Sequence, residues 1–154
     1  FGEFTLHTFR DSIQGENHLA LTMGDLQPDA PVLVRVQTNN LLRDVLGIRK
    51  SESDSWSSTQ ALSRIAREGC GALVLLSAGQ SEDVQTSLDD FFGRARPVRS
   101  PNKDSSGAFL TIGTGSQILR ELGIQKMRLL SSEMKYSGIS GFELEITEYL
   151  PFNE

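Results

Sequence analysis

Hydrophobic and polar positions alternate from the first residues onward. Phe4-Thr5-Leu6-His7-Thr8-Phe9, His18-Leu19-Ala20-Leu21-Thr22-Met23 and Val32-Leu33-Val34-Arg35-Val36-Gln37 each read as strands. Gly24-Asp25, the stretch Gln27-Pro28-Asp29-Ala30-Pro31 and Asn39-Asn40 supply the turns around them. The period changes after a polar, Ser-rich loop over 51–58. Ala61, Leu62, Ile65 and Ala66 fall on one face of a helix over 59–68, with Ser57 or Ser58 as its cap and Gly69 at its end. Ala72 to Leu76 is a continuous apolar run, as in a strand covered on both faces. Val84, Leu88, Phe91 and Phe92 predict an amphipathic helix over 83–94, and 96–107 reads as a mobile loop. A short helix at 116–122, a buried strand at 127–130 and an alternating strand at 142–149 complete the pattern. Three early strands followed by alternating helices and strands predict one α/β domain over 1–154, a mixed sheet flanked by helices.

Composition narrows the function. The chain has 154 residues with 15 basic and 20 acidic side chains, a net charge of −5. That balance argues against binding to nucleic acid, where affinity comes from neutralised phosphates. No apolar run reaches the ~20 residues that span a bilayer, so no membrane partner is expected. The single cysteine, Cys70, excludes an intrachain disulfide and an all-cysteine metal site, and a cytoplasmic setting is expected. Phe1 is not a methionine, and the first residues already read as a strand. The expectation is an excised C-terminal domain preceded by another in its parent chain.

Candidate chemistry is sparse. Gly113-Thr114-Gly115-Ser116 reads as the opening of a helix, a position that either binds an anion or simply caps a turn. His7 and His18 are the only histidines, both on strands, and no G-x-S-x-G nucleophile is present. Cys70 enters a buried strand and reads as a small core hydrophobe rather than a thiolate. Arg94, Arg96, Arg99 and Lys103 form either a local phosphate patch or a solvated surface. Trp56, alone in a polar loop, packs into a pocket or onto a partner.

Several stretches taken together resemble GTP cyclohydrolase II. They are Gly2-Glu3-Phe4, His18 to Leu21 with Gly24-Asp25, Val34-Arg35-Val36, Asp44-Val45-Leu46-Gly47, Ala61 to Gly69, Gly113 to Gly123, Arg128 to Ser131, and Gly141 to Ile146 with Leu150-Pro151. The resemblance implies that family's fold. It also implies a zinc-dependent opening of the GTP imidazole ring in riboflavin biosynthesis, and the residues for that reaction are missing. Where the family carries a pattern like R-V-H-S-E-C, this chain has Arg35-Val36-Gln37-Thr38-Asn39-Asn40, so the first zinc cysteine is Asn40. The remaining two zinc cysteines fall on Ser51 and Ser53, or on Glu52 and Asp54 when aligned from the following helix. Neutral or hard oxygen groups do not replace thiolates for zinc.

The family's E-G-R-G stretch falls on Ser77 to Glu82, without arginine, and its D-x-R pair falls on Ala108 and Leu110. A methyl group transfers no proton and a leucine attacks no phosphorus. The expectation is a domain without cyclohydrolase activity, catalytic residues or zinc, fused to 3,4-dihydroxy-2-butanone-4-phosphate synthase and serving assembly or regulation as a homodimer. Arg35, Thr38, Ser131 and Lys135 would be the remnant of a phosphate-binding pocket. Two alternatives stand beside it: a sensor of a nucleotide or flavin ligand, and an enzyme of altered chemistry holding Mg²⁺ or Mn²⁺ on Asp44, Glu52 and Asp54.

Overall fold

The computed structural model describes residues 1–13, 15–48, 55–77, 88, 92, 103–133 and 139–152, with backbone alone over 103–111 and 139–140. Six strands form one mixed sheet: β1 (Thr5–Arg10), β2 (Asn17–Met23), β3 (Val32–Thr38), β4 (Gly71–Leu76), β5 (Lys126–Leu129) and β6 (Glu145–Tyr149). Their order across the sheet is β1-β2-β4-β3-β5-β6. The hairpin β1–β2 and the pair β2–β4 are antiparallel. The pairs β3–β4, β3–β5 and β5–β6 are parallel. The mixed α/β sheet expected from the strand-rich opening is therefore present.

Alternation along β3 and β4 divides the core into two layers. Leu33 and Leu73 pack with Ala61 and Ile65 of helix α1 (Ser58–Glu68) and with Leu130. Val34, Ala72, Val74 and Leu76 pack on the other face with Ile118 and Leu119 of helix α2 (Lys103–Glu121). Both faces of β4 are covered, which is why its sequence is an unbroken apolar run.

Helix α1 has both of the ends the chain signals. Ser57 Oγ accepts from the Gln60 N–H at 3.3 Å, and Gln60 Oε1 accepts from the Ser57 N–H at 3.1 Å, a reciprocal capping box. Gly69 closes the helix with φ 78°, a left-handed geometry, and its N–H donates to Ile65 O at 2.9 Å.

Helix α2 corrects two expectations. It begins at Lys103, so 103–107 is helical rather than part of a mobile loop, and the helix expected at 116–122 is the end of a longer one. Gly113 to Ser116 accordingly lies inside α2 and offers no helix N-terminus to an anion. Each glycine inside a helix costs roughly 1 kcal/mol relative to alanine, and close packing accounts for the one at Gly115. A Cβ on Gly115 would lie 3.0 Å from Val36 Cγ1 and 3.8 Å from Leu76 Cδ1, so the bare backbone lets α2 press onto β3 and β4.

The last strand is shorter than the alternation from Phe142 suggests. Ile139–Phe142 forms a 3₁₀ turn, Glu143 takes φ 57°, and pairing begins only at Glu145. The helix expected over 83–94 lies outside the described residues except at 88 and 92, where the Phe92 N–H donates to Leu88 O at 2.9 Å. No helix among the described residues is long and apolar enough to cross a membrane.

Candidate functional site

In α/β sheets, ligands gather outside the carboxyl ends of parallel strands. At that end of β3 the chain makes a π-helical turn, Leu41–Val45, which carries Asp44. Asp44 Oδ1 accepts from Gln37 Nε2 at 3.0 Å, from the Ser58 N–H at 2.9 Å and from Arg43 Nε at 3.1 Å. Its Oδ2 accepts from the Asn40 N–H at 3.0 Å and from Arg43 Nη2 at 2.7 Å. The Asp44 side chain is 5% exposed. Burial alone would raise its pKa. The hydrogen bonds from the Arg43 side chain and from the Ser58 and Asn40 amides, with the charge of Arg43, outweigh that and lower it to about 2.

The residues around Asp44 are equally engaged. Asn40 Oδ1 accepts from the Arg43 N–H at 3.0 Å and caps the turn, and Arg43 Nη2 also donates to Thr38 O at 2.9 Å. Gln37 Nε2 donates to Ser58 Oγ at 2.7 Å, and Gln37 Oε1 accepts from Arg35 Nε at 2.9 Å. Arg35 is buried, and its Nη1 and Nη2 donate to Leu130 O at 2.7 Å and Trp56 O at 3.1 Å. The indole of Trp56 in turn donates to Leu150 O at 2.8 Å and meets the Phe152 ring edge-on at 5.1 Å. Trp56 thus packs within its own chain.

Among the expected pocket residues, Arg35 reaches the backbone beside Ser131 through Leu130 O. Thr38 contributes its carbonyl to Arg43, and the Ser131 N–H donates to Leu129 O at 2.9 Å. Lys135 lies outside the described residues, as do Glu52 and Asp54. The remaining candidate cation ligand, Asp44, has both oxygens taken up by N–H donors. No group of three His, Cys, Asp or Glu that could hold a metal occurs among the described residues.

Cys70 lies just ahead of β4 and is half-buried rather than in the core, its Sγ contacting Asp25 O at 3.4 Å. Burial, then the charges of Asp25 and Glu68, push its thiol pKa up, away from thiolate chemistry. A zinc site of the cyclohydrolase type therefore does not fit the donors present. An amide caps a turn at the first cysteine position, and the one cysteine of the chain stands elsewhere, just ahead of β4. His18 is buried, its Nδ1 accepting from the Ser77 N–H at 3.0 Å, and His7 Nε2 lies 2.9 Å from Thr22 Oγ1.

The sequence alone names Gln37 only as a departure from the family pattern, and it leaves out Arg43 and the reciprocal role of Gln60. For the latter two a local signal exists. Ser57-x-x-Gln60 and Asn40-x-x-Arg43-Asp44 are the local signals that point to them, a capping box and an Asx cap three residues ahead of its N–H donor.

Comparisons with known proteins agree on the frame. The family model for GTP cyclohydrolase II matches residues 1–151. A 3,4-dihydroxy-2-butanone 4-phosphate synthase of Pseudomonas aeruginosa is 42% identical over 153 residues, covering 97% of this chain and 40% of that protein. The riboflavin biosynthesis protein RibBA of Bacillus cytotoxicus is 34% identical over 162 residues, covering 98% of this chain and 39% of its own length. The crystal structure of RibBX, a two-domain 3,4-dihydroxy-2-butanone 4-phosphate synthase from A. baumannii, matches with a TM-score of 0.64 and 30% identity over 98% of this chain and 36% of that one. The chain thus spans about 40% of the length of the curated relatives it matches. With the model matched from the first residue to Pro151, the chain belongs to the GTP cyclohydrolase II family.

Proposed function

We propose that this is a GTP cyclohydrolase II-like domain that has lost cyclohydrolase activity and zinc, joined in its parent protein to a 3,4-dihydroxy-2-butanone 4-phosphate synthase domain. It serves that riboflavin-pathway enzyme structurally or as a regulator, in the cytoplasm and as a homodimer. The observation that carries the reading is the Asp44 junction. Where the resemblance puts a zinc thiolate, Asn40 caps a turn, and the neighbouring carboxylate is saturated by the chain's own donors. A carboxylate held near pKa 2 among five N–H contacts is a poor base and a poor metal ligand. Arg35 acts in this frame as a strut between β3 and the segments at Trp56 and Leu130, rather than as a phosphate ligand. The synthase relatives, one a two-domain protein, support the fused arrangement.

The test is direct. Purified protein, assayed for zinc and for formate released from GTP, is expected to contain no stoichiometric zinc and to release no formate. About one zinc per chain together with formate release overturns the proposal. Sedimentation of the same sample tests the homodimer, and a monomer at all concentrations removes that part.

A further inference from the structure

A cleft lies on the opposite face of the sheet from the Asp44 junction, between the β1–β2 hairpin and the last turn of α2. The register places it. His7 pairs with Ala20, Ala20 with Val74 and Val74 with Val36, so His7 shares the α2 face with Val36 while Gln37 faces α1. Its volume of about 470 Å³ falls within the ~300–1,000 Å³ typical of small-molecule sites. Phe9, Leu26 and Leu122 give it apolar walls, and His7, Thr22 and Glu121 give it polar ones.

The polar groups differ in what they leave open. His7 and Thr22 engage each other at 2.9 Å, and the rings of His7 and Phe9 stack at 6.4 Å. Among the described residues Glu121 makes no ion pair, and no lysine or arginine lines the cleft. It also stands in the last turn of a 19-residue helix, the end that carries partial negative charge. A carboxylate, a helix C-terminus and an aromatic wall together favour a cation, whereas an anion would find no counter-charge.

We propose that this cleft binds a small organic cation with an apolar body, an aryl- or alkylammonium. Its ammonium group donates to the Glu121 carboxylate, and its body lies against Phe9 and Leu122. The inference is independent of the reading of the Asp44 junction. It points to a ligand class of opposite charge to a nucleotide.

The test is an amide-resolved NMR titration of this chain with benzylammonium, benzyl alcohol and benzoate, three probes of similar shape and different charge. Benzylammonium is expected to give saturable shifts at His7, Thr22, Gly24 and Leu122. Benzyl alcohol should bind about 10-fold more weakly, and benzoate should give none of these shifts. Glu121→Gln is expected to weaken benzylammonium about 10-fold, and Glu121→Lys to abolish its binding. Glu121 is exposed, so both variants should keep the remaining spectrum unchanged, which reports that the fold is intact. Shifts that fail to saturate or map elsewhere, benzoate binding as well as benzylammonium, or undiminished affinity in Glu121→Gln would each overturn the proposal.

Discussion

The junction at the end of β3 and the cleft beside β1 and β2 treat a carboxylate in opposite ways. The Asp44 carboxylate is largely covered and surrounded by donors from β3, the π-helical turn and the start of α1, so its charge is consumed in holding three segments together. Glu121 lines an open cavity and makes no ion pair among the described residues, its chain neighbour Arg120 being paired with Glu143. A buried charge survives folding only when its hydrogen-bonding capacity is met, and an exposed one needs nothing. A carboxylate engaged in this way is therefore not free to meet a substrate. One on the far face has the freedom a binding group needs.

The comparison breaks hardest at Asp44. Asp44→Ala leaves Gln37, Ser58 and Asn40 donors without their acceptor and is expected to cost about 2–4 kcal/mol in urea unfolding. A loss below ~0.5 kcal/mol would show that the junction is not a structural hub. Acid titration sharpens the same point. Because the folded pKa of Asp44 is lowered from 3.8 to about 2, its contribution is fully present above pH ~4 and disappears as pH falls toward 2. About 1–2 kcal/mol should be lost across that window, and the loss should be missing in Asp44→Asn, as followed by denaturation at stepped pH. Ser57→Ala removes the cap that starts α1 beside the junction and is expected to cost about 1 kcal/mol, read from the shift in urea midpoint. Glu121→Gln completes the contrast. Its stability should stay within about 0.5 kcal/mol of the parent chain, and a larger fall would mean that Glu121 is engaged in the fold after all.

What the chain discloses about itself follows how local the physics is. Strands β2, β3 and β4 and helix α1 are legible because alternation, capping and a terminal glycine all act within a few residues. Helix α2 is not, because Gly113 and Gly115 look like a turn, and the contact of Val36 and Leu76 with the bare backbone at Gly115 exists only in the fold. The strand expected from Phe142 shortens for a similar reason, since Glu143 takes a left-handed turn that alternation does not announce. Within the candidate site, Gln37 and Asn40 are legible as departures from a zinc-binding pattern. Their positive role, tying Asp44 to the end of β3, depends on partners that only the fold brings within reach. Arg35 is similar: its position on β3 is local information, but Leu130 O lies 95 residues away in sequence.

Those distances bear on the order of assembly. Arg35 is fastened to Leu130, and Trp56, which also accepts from Arg35, donates its indole N–H to Leu150, 94 residues further on. Contacts between such distant segments come at the end of a conformational search, because closing long loops is entropically costly. The hairpin β1–β2 and helix α1 have the local contacts to form early, whereas the ring of bonds around Arg35 closes only after β5 and β6 have docked. Amide protection in a pulse-labelled refolding experiment should therefore reach the hairpin first and the Trp56 segment last.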